Sequence, residues 1–175
     1  VLIRAETAAD TQAIFATQAA AFRRRDGLPP EAIPMEAPLV DALRADPDAW
    51  IPDLSLVADD GGEVVGHVIC SRAWVGEEAR PVLGLGPIGV LPDRQGDGIG
   101  STLMRGAIRA ADELGEALIG LLGNPEFYGR FGFVASTEHG ITPPDPAWGD
   151  LFQVRPLAAH DPAVTGTFRY AAAFG

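Results

Sequence analysis

The residues best able to do chemistry together lie in one run, Val90-Leu91-Pro92-Asp93-Arg94-Gln95-Gly96-Asp97-Gly98-Ile99-Gly100-Ser101. An apolar, strand-like segment precedes it and helical spacing follows it. The first N–H groups of a helix have no partner within the helix, and the helix dipole is positive at that end. Glycines let the backbone approach a ligand with no Cβ in the way. A helix mouth carrying Gly96, Gly98 and Gly100 therefore suits a pyrophosphate. Each hydrogen bond to a charged oxygen contributes about 1.5–3 kcal/mol. The dipole adds about 0.3–1 kcal/mol at an exposed site, so several N–H groups would hold an anion without a lysine. The same glycines also read as a plain turn that starts a helix.

Other chemically able side chains are scattered. Tyr128 sits between Phe127 and Phe131 and reads either as a proton donor or as a packing aromatic. His67 falls on a strand; its ordinary pKa suits a general base, although a lone strand histidine is more often structural. His139 and His160 are far from it in sequence, and Cys70 points to the opposite face of its strand, so no metal-ligand set is expected. Gly84-Leu85-Gly86-Pro87-Ile88-Gly89 matches G-x-G-x-x-G in letters. A dinucleotide site needs that motif to open a helix, and Pro87 and Pro92 argue against a helix there. These glycines read instead as a bulged or splayed strand. No Lys-Ser or Lys-Thr follows the glycines, which excludes a P-loop.

The elements that must position these residues follow from periodicity. Val1–Arg4 reads as a short strand. Thr7 or Asp10 then caps a helix with Ile14, Gln18 and Phe22 on its core stripe. Pro38–Asp46 reads as a second helix. Leu54–Ala58 and Glu63–Ser71 form strands joined at Asp59-Asp60-Gly61-Gly62, a hairpin turn. Val82–Leu91 is the next strand. The helix after the glycine turn carries Ile99, Leu103, Ala107, Ala110 and Leu114 at helical spacing. Ala117–Leu122 reads as a buried strand, Pro125–Phe131 as a short helix, and a strand starts at Phe133. Leu151–Leu157 reads as the last strand before a closing tail. The order predicts an α/β (α+β) fold: a central mixed, mostly antiparallel twisted sheet flanked by helices.

The 175 residues suit a single domain with a sizeable core. The 13 basic and 24 acidic residues give a net charge of −11, and Arg23–Arg25 is the only basic run. That balance excludes a nucleic-acid partner, which would require clustered cations. One cysteine excludes an internal disulfide and suits a cytoplasmic location. No segment has the length of a membrane span, and Val-Leu-Ile-Arg-Ala does not read as a signal peptide.

Gln95-x-x-Gly98-x-Gly100, three residues after Pro92 and followed by Leu103, resembles the acetyl-CoA signature of the GNAT (GCN5-related) N-acetyltransferase family. Arg4 followed by Asp10 resembles the opening of that family. Asn124-Pro125-Glu126-Phe127-Tyr128-Gly129-Arg130-Phe131-Gly132-Phe133 resembles its second landmark, a Tyr followed four residues later by Gly-Phe. Gly166-Thr167-Phe168-Arg169-Tyr170 is similar to the tail of a bacterial subgroup. The resemblance implies an acceptor-side half over 1–80, an acetyl-CoA core over 81–135 and C-terminal strands over 136–175. It further implies that Ile88, Gly89 and Val90 bind the cosubstrate through backbone groups between splayed strands. Gln95, Gly96, Asp97, Gly98, Ile99, Gly100 and Ser101 would surround the pyrophosphate, and Asn124 and Tyr128 would lie near the thioester.

The implied activity is acetyl transfer from acetyl-CoA to a primary amine, on a small molecule or a peptide, by direct attack in a ternary complex without a metal. A lysine-like amine has a pKa near 10.4, so about one molecule in a thousand or fewer is neutral at pH 7. A base must take the proton, the Val90 N–H would hold the oxyanion, and Tyr128 would protonate the departing thiolate as general acid. The strand Val82–Val90 carries no carboxylate, which leaves His67, Glu36, Asp41 or a bound water as base. The missing carboxylate also keeps open a catalytically degenerate domain that senses acyl-CoA. A homodimer is compatible with either reading.

Overall fold

The computed structural model describes all residues, Val1–Gly175. Strands β1 (Leu2–Ala5), β2 (Ser55–Asp60), β3 (Glu63–Val75), β4 (Arg80–Val90), β5 (Leu118–Leu122), β6 (Val134–Ala135), β7 (Ile141–Thr142), β8 (Phe152–Pro156) and β9 (Gly166–Arg169) build the sheet. Its main path runs β1-β2-β3-β4-β5-β8-β6, with β9 joining the far end of β3 and β7 joining β9. The pairs are antiparallel except β4–β5 and β7–β9. This is the mixed, mostly antiparallel sheet expected.

Helices α1 (Thr11–Arg25), α2 (Glu36–Ala45), α3 (Ile99–Glu113) and the short α4 (Pro125–Tyr128) complete the fold. The Asp10 carboxylate accepts from the Thr7 N–H at 2.7 Å and from Arg4 at 2.8 and 3.0 Å, pinning the start of α1 to β1. Ile14, Gln18 and Phe22 are buried along α1, as the spacing predicts. Val40 and Leu43 of α2 pack with Ile14, Val57 and Ile69 on one sheet face. On the other face Leu103, Met104 and Ala107 of α3 pack with Val68, Leu83 and Ile119. A parallel β4–β5 pair needs a crossover, and α3 supplies it.

The sequence reading needs two corrections. Leu151–Leu157 is not the last strand, because β9 follows and pairs Arg169 with Trp74 and Phe168 with Val75. The buried stripe of α3 ends at Ala111, not Leu114. Leu114 caps the helix and is 46% exposed, since the helix stops before it turns inward again. The bulge expected among the β4 glycines is present. The β3–β4 register shifts between Val68↔Ile88 and Cys70↔Leu85, leaving one extra residue on β4 around Gly86-Pro87.

Candidate active site

β4 and β5 share only two rungs, Leu83↔Ile119 and Gly84↔Gly120. Beyond Gly84, β4 continues to Val90 against β3 alone, and the two strands part. The Leu91 N–H donates to the Val65 carbonyl at 2.9 Å. N–H groups alternate sides along a strand, so those of Ile88 and Val90 turn away from β3 into the split. The opening is built by the backbone and needs no charged side chain.

The turn after β4 is held from several sides. Gln95 Nε2 donates to the Val90 carbonyl at 3.1 Å. Arg94 pairs with Asp60 at 2.8 Å and, more loosely, with Asp97 at 3.4 Å. Arg24 donates to the Pro92 carbonyl at 3.0 Å, fixing the end of α1 to the turn. Gly96 and Gly98 have φ of +89° and +81°, a conformation that side-chain-bearing residues rarely adopt. Gly98 is the N-cap of α3, and no side chain caps the helix. The first helical bond runs from Thr102 N to Gly98 O at 3.0 Å. The N–H groups of Ile99, Gly100 and Ser101 therefore have no partner within the helix, while the Ile99 side chain, 4% exposed, anchors the turn in the core. A Cβ added at Gly96 or Gly98 would meet nothing within 4 Å. This is an open cradle of N–H groups with the shape and donors for a phosphate.

Two adjoining cavities, about 270 and 300 Å³, share Val90, Gln95, Gly100 and Phe127. The first extends over Ile88, Gly89, Ala21, Phe22 and Arg25. The second covers Arg94, Gly96, Gly98, Ile99 and Ser101. A larger cavity of about 760 Å³ lies around Gly76 and Thr165, at the opposite end of β4, away from the helix mouth. Phe127 and Arg25 are wall residues that sequence reasoning did not assign. Arg25 belongs to the only basic run of an acidic chain, a signal that pointed only to the end of a helix.

Asp97, Asn124 and Tyr128 are not part of either wall. Asp97 faces Arg94, and the Asn124 side chain caps α4 by accepting from the Glu126 N–H at 3.0 Å. The Tyr128 ring lies against Gly123 and packs edge-on to Phe127 at 4.9 Å and Phe133 at 6.1 Å. Burial raises its phenol pKa above the usual value and Arg25 works against that rise, so Tyr128 keeps its proton at neutral pH.

His67 is brought opposite Gly89 in the β3–β4 register, yet its side chain is 0% exposed. Its Nδ1 lies 2.8 Å from Gln18 Nε2, and its Nε2 lies 2.8 Å from Ser55 Oγ. Ser55 Oγ in turn donates to Glu6, which Arg44 holds at 2.9 Å. Gln18 donating to Nδ1 puts the imidazole proton on Nε2, directed to Ser55. Burial holds the imidazole neutral, with its pKa pushed down to about 3. Asp41 is paired with Arg44 at 2.7 Å, whereas Glu36 Oε2 is buried with no hydrogen-bond partner. Cys70 is fully buried and burial pushes its thiol up to about 12, which makes it inert. No three His, Cys, Asp or Glu side chains cluster to hold a metal ion. No helix is long and apolar enough to cross a membrane.

Residues 21–133 match the profile of the Acetyltransferase (GNAT) family. The chain is 33% identical over 149 residues to the uncharacterized N-acetyltransferase YhbS of Escherichia coli K12, covering 77% of this chain and 88% of the relative. The crystal structure of E. coli YhbS in complex with CoA superposes with a TM-score of 0.82 at 32% identity, covering 99% of this chain and 91% of that one. A GNAT family acetyltransferase from Brucella melitensis in complex with acetyl-CoA gives a TM-score of 0.79 at 35% identity, covering 99% and 97%. The open helix mouth, the split between β4 and β5 and these likenesses agree, and the chain belongs to the GNAT family of acetyltransferases.

Proposed function

We propose that this chain transfers the acetyl group of acetyl-CoA to a primary amine by direct attack in a ternary complex. The observation that carries the reading is the uncapped mouth of α3 beside the split strands. The relatives crystallised with CoA and acetyl-CoA support it. In this reading the N–H groups from Gly96 to Ser101 hold the pyrophosphate, with Gln95 bracing the turn through Val90. Arg25 adds positive charge to the adjoining cavity. The pantetheine lies along Ile88–Val90, Phe127 covers it, and the Val90 N–H donates to the oxygen that becomes negative during attack. Tyr128, kept protonated by burial, returns a proton to the departing thiolate.

His67 has no place in this reading as a base: it is sealed from solvent and both ring nitrogens are engaged. It serves instead as a positioning residue that ties β3 to α1 and β2. Of the carboxylates considered, Glu36 is half-buried and keeps one buried oxygen without a partner, and in this reading it is the proton acceptor once the acceptor site is occupied. Residues 1–80, apart from Ala21, Phe22 and Arg25 at the donor cavity, then shape the acceptor side and 81–135 the donor side. A cytoplasmic location goes with the unpaired, buried Cys70.

A second reading is an acyl-CoA-binding domain without turnover, favoured by the absence of a carboxylate on Val82–Val90 and by the sealing of His67. Release of free CoA thiol, measured with 2-phenylethylamine, spermidine and an unblocked alanyl peptide, separates the two. Amine-dependent release supports transfer. Acetyl-CoA binding without release for any amine supports the second reading.

A further inference from the structure

β9 lies across the root of the split. Phe168 and Tyr170 are two residues apart and point to the same side. A Cβ added to Gly120 would meet Phe168 Cε2 at 2.5 Å, and one added to Gly84 would meet Tyr170 Cε1 at 2.7 Å. These glycines form the last rung shared by β4 and β5. Their neighbours Leu83, Leu85, Ile119 and Leu121 pack in the core under α3. Strand alternation therefore puts Gly84, Gly120 and both rings on the opposite face, the one that carries α1 and α2.

The two rings pack edge-on at 5.0 Å, and Phe174 lies over Tyr170 at 4.6 Å. Phe174 and Ala171 join the cluster under α2, so the segment after β9 closes against that helix. Neither Phe168 nor Tyr170 lines the donor cavities. The Tyr170 hydroxyl makes no hydrogen bond within the protein, and it is not among the sealed polar atoms that lack a partner. It is therefore not fully sealed, although the half-buried ring lies deep enough for burial to hold the phenol well above its usual pKa. Tyr128 rests on Gly123, just past β5, and Tyr170 rests on Gly84 of β4. The two tyrosines of the chain thus stand on the two walls of one opening, one by the donor cavity and one on the other sheet face.

We propose that Tyr170 is the acceptor-side binding residue: its hydroxyl oxygen accepts a hydrogen bond from the incoming primary amine, while the buried Phe168 beneath it holds the ring in place. This rests on the acetyl-transfer reading. It goes further in giving β9 a role in substrate recognition.

With two tyrosines in the chain, 3-fluorotyrosine labelling gives two fluorine resonances, assigned by Tyr128→Phe and Tyr170→Phe. The probe is whichever of 2-phenylethylamine, spermidine and the alanyl peptide releases most thiol. Added to the CoA complex, it shifts the Tyr170 resonance. Tyr170→Phe keeps the ring and raises the KM for that amine about tenfold, as expected for one lost hydrogen bond to a charged group, with the acetyl-CoA Kd unchanged by calorimetry. A wild-type amine KM in Tyr170→Phe, or a Tyr170 resonance unmoved at saturating amine, overturns the proposal and leaves acetyl transfer standing. Thiol release with none of the amines, from protein that binds acetyl-CoA, removes the acetyl-transfer reading and this proposal together.

Discussion

Gly84 and Gly120 face each other across the last rung that β4 and β5 share, and neither has room for a side chain. The absence of two side chains lets aromatic rings from β9 settle onto the sheet at the point where the strands part. The site follows from this. Past the rung, the N–H groups of β4 that would have bonded β5 have no partner strand, and the uncapped end of α3 lies beside them.

Gly120→Ala tests that packing. The added methyl would sit 2.5 Å from Phe168 and 3.1 Å from Phe152. Overpacking of this kind costs about 1–3 kcal/mol, and in a chain of this size each kcal/mol lowers Tm by about 2–4 °C. Calorimetric melting should show a drop of several degrees. A wild-type Tm would mean that the aromatic cluster is loose.

Phe127→Ala should weaken acetyl-CoA binding about tenfold, from lost apolar cover at the junction of the two cavities. Titration calorimetry reads this directly. Phe127 sits on the rim and Phe131 in the core, so Phe127→Ala should cost little stability while Phe131→Ala costs much more.

The helix mouth, the β2–β3 hairpin and the α1 stripe were legible in the sequence because each depends on neighbours in the chain. Glycine at positive φ, Asp-Asp-Gly-Gly between two apolar runs, and Ile14-Gln18-Phe22 are all local patterns. β9 was missed because a four-residue Gly-Thr-Phe-Arg strand has no periodicity of its own. It exists by pairing with β3 some ninety residues earlier. The sealing of His67 was equally illegible, since it takes Glu6, Gln18 and Ser55 from three other segments to enclose one ring. Arg25 and Phe127 meet in the donor cleft only after α1 and α4 have packed.

The buried imidazole makes stability depend on pH. His67 holds its neutral form down to about pH 3 in the folded protein, against 6.5 when unfolded. Between those values the unfolded chain binds a proton that the folded one refuses. Stability is therefore fully present above pH 6.5 and falls as pH drops, by up to about 1.4 kcal/mol per unit from this residue. The Asp10–Arg4 pair acts in a separate window below the ordinary carboxylate pKa of 3.8. Urea midpoints measured from pH 7 to 4 should slope more steeply in wild type than in His67→Gln. Equal slopes would show that His67 takes up a proton without unfolding.

Glu36→Gln keeps the shape of the side chain and removes its charge. If Glu36 takes the amine proton, kcat falls about a hundredfold with the acetyl-CoA Kd unchanged. Steady-state thiol release checks this, and wild-type turnover would return the role to a bound water.

The most direct test of the account is acetyl-CoA binding to wild type and to Gly100→Trp, by titration calorimetry. Gly100 suits the purpose better than Gly98, because Gly98 has a φ of +81° and any side chain there strains the backbone. Gly100 lies inside α3, and a Cβ there would meet only Val90 Cγ2 at 3.9 Å. The tryptophan should therefore leave the fold intact and fill both cavities. Micromolar binding by wild type, abolished in a variant of equal or higher Tm, is the predicted result. Equal binding by the two proteins, or none by folded wild type, would contradict the assignment of the α3 mouth as the acyl-CoA site.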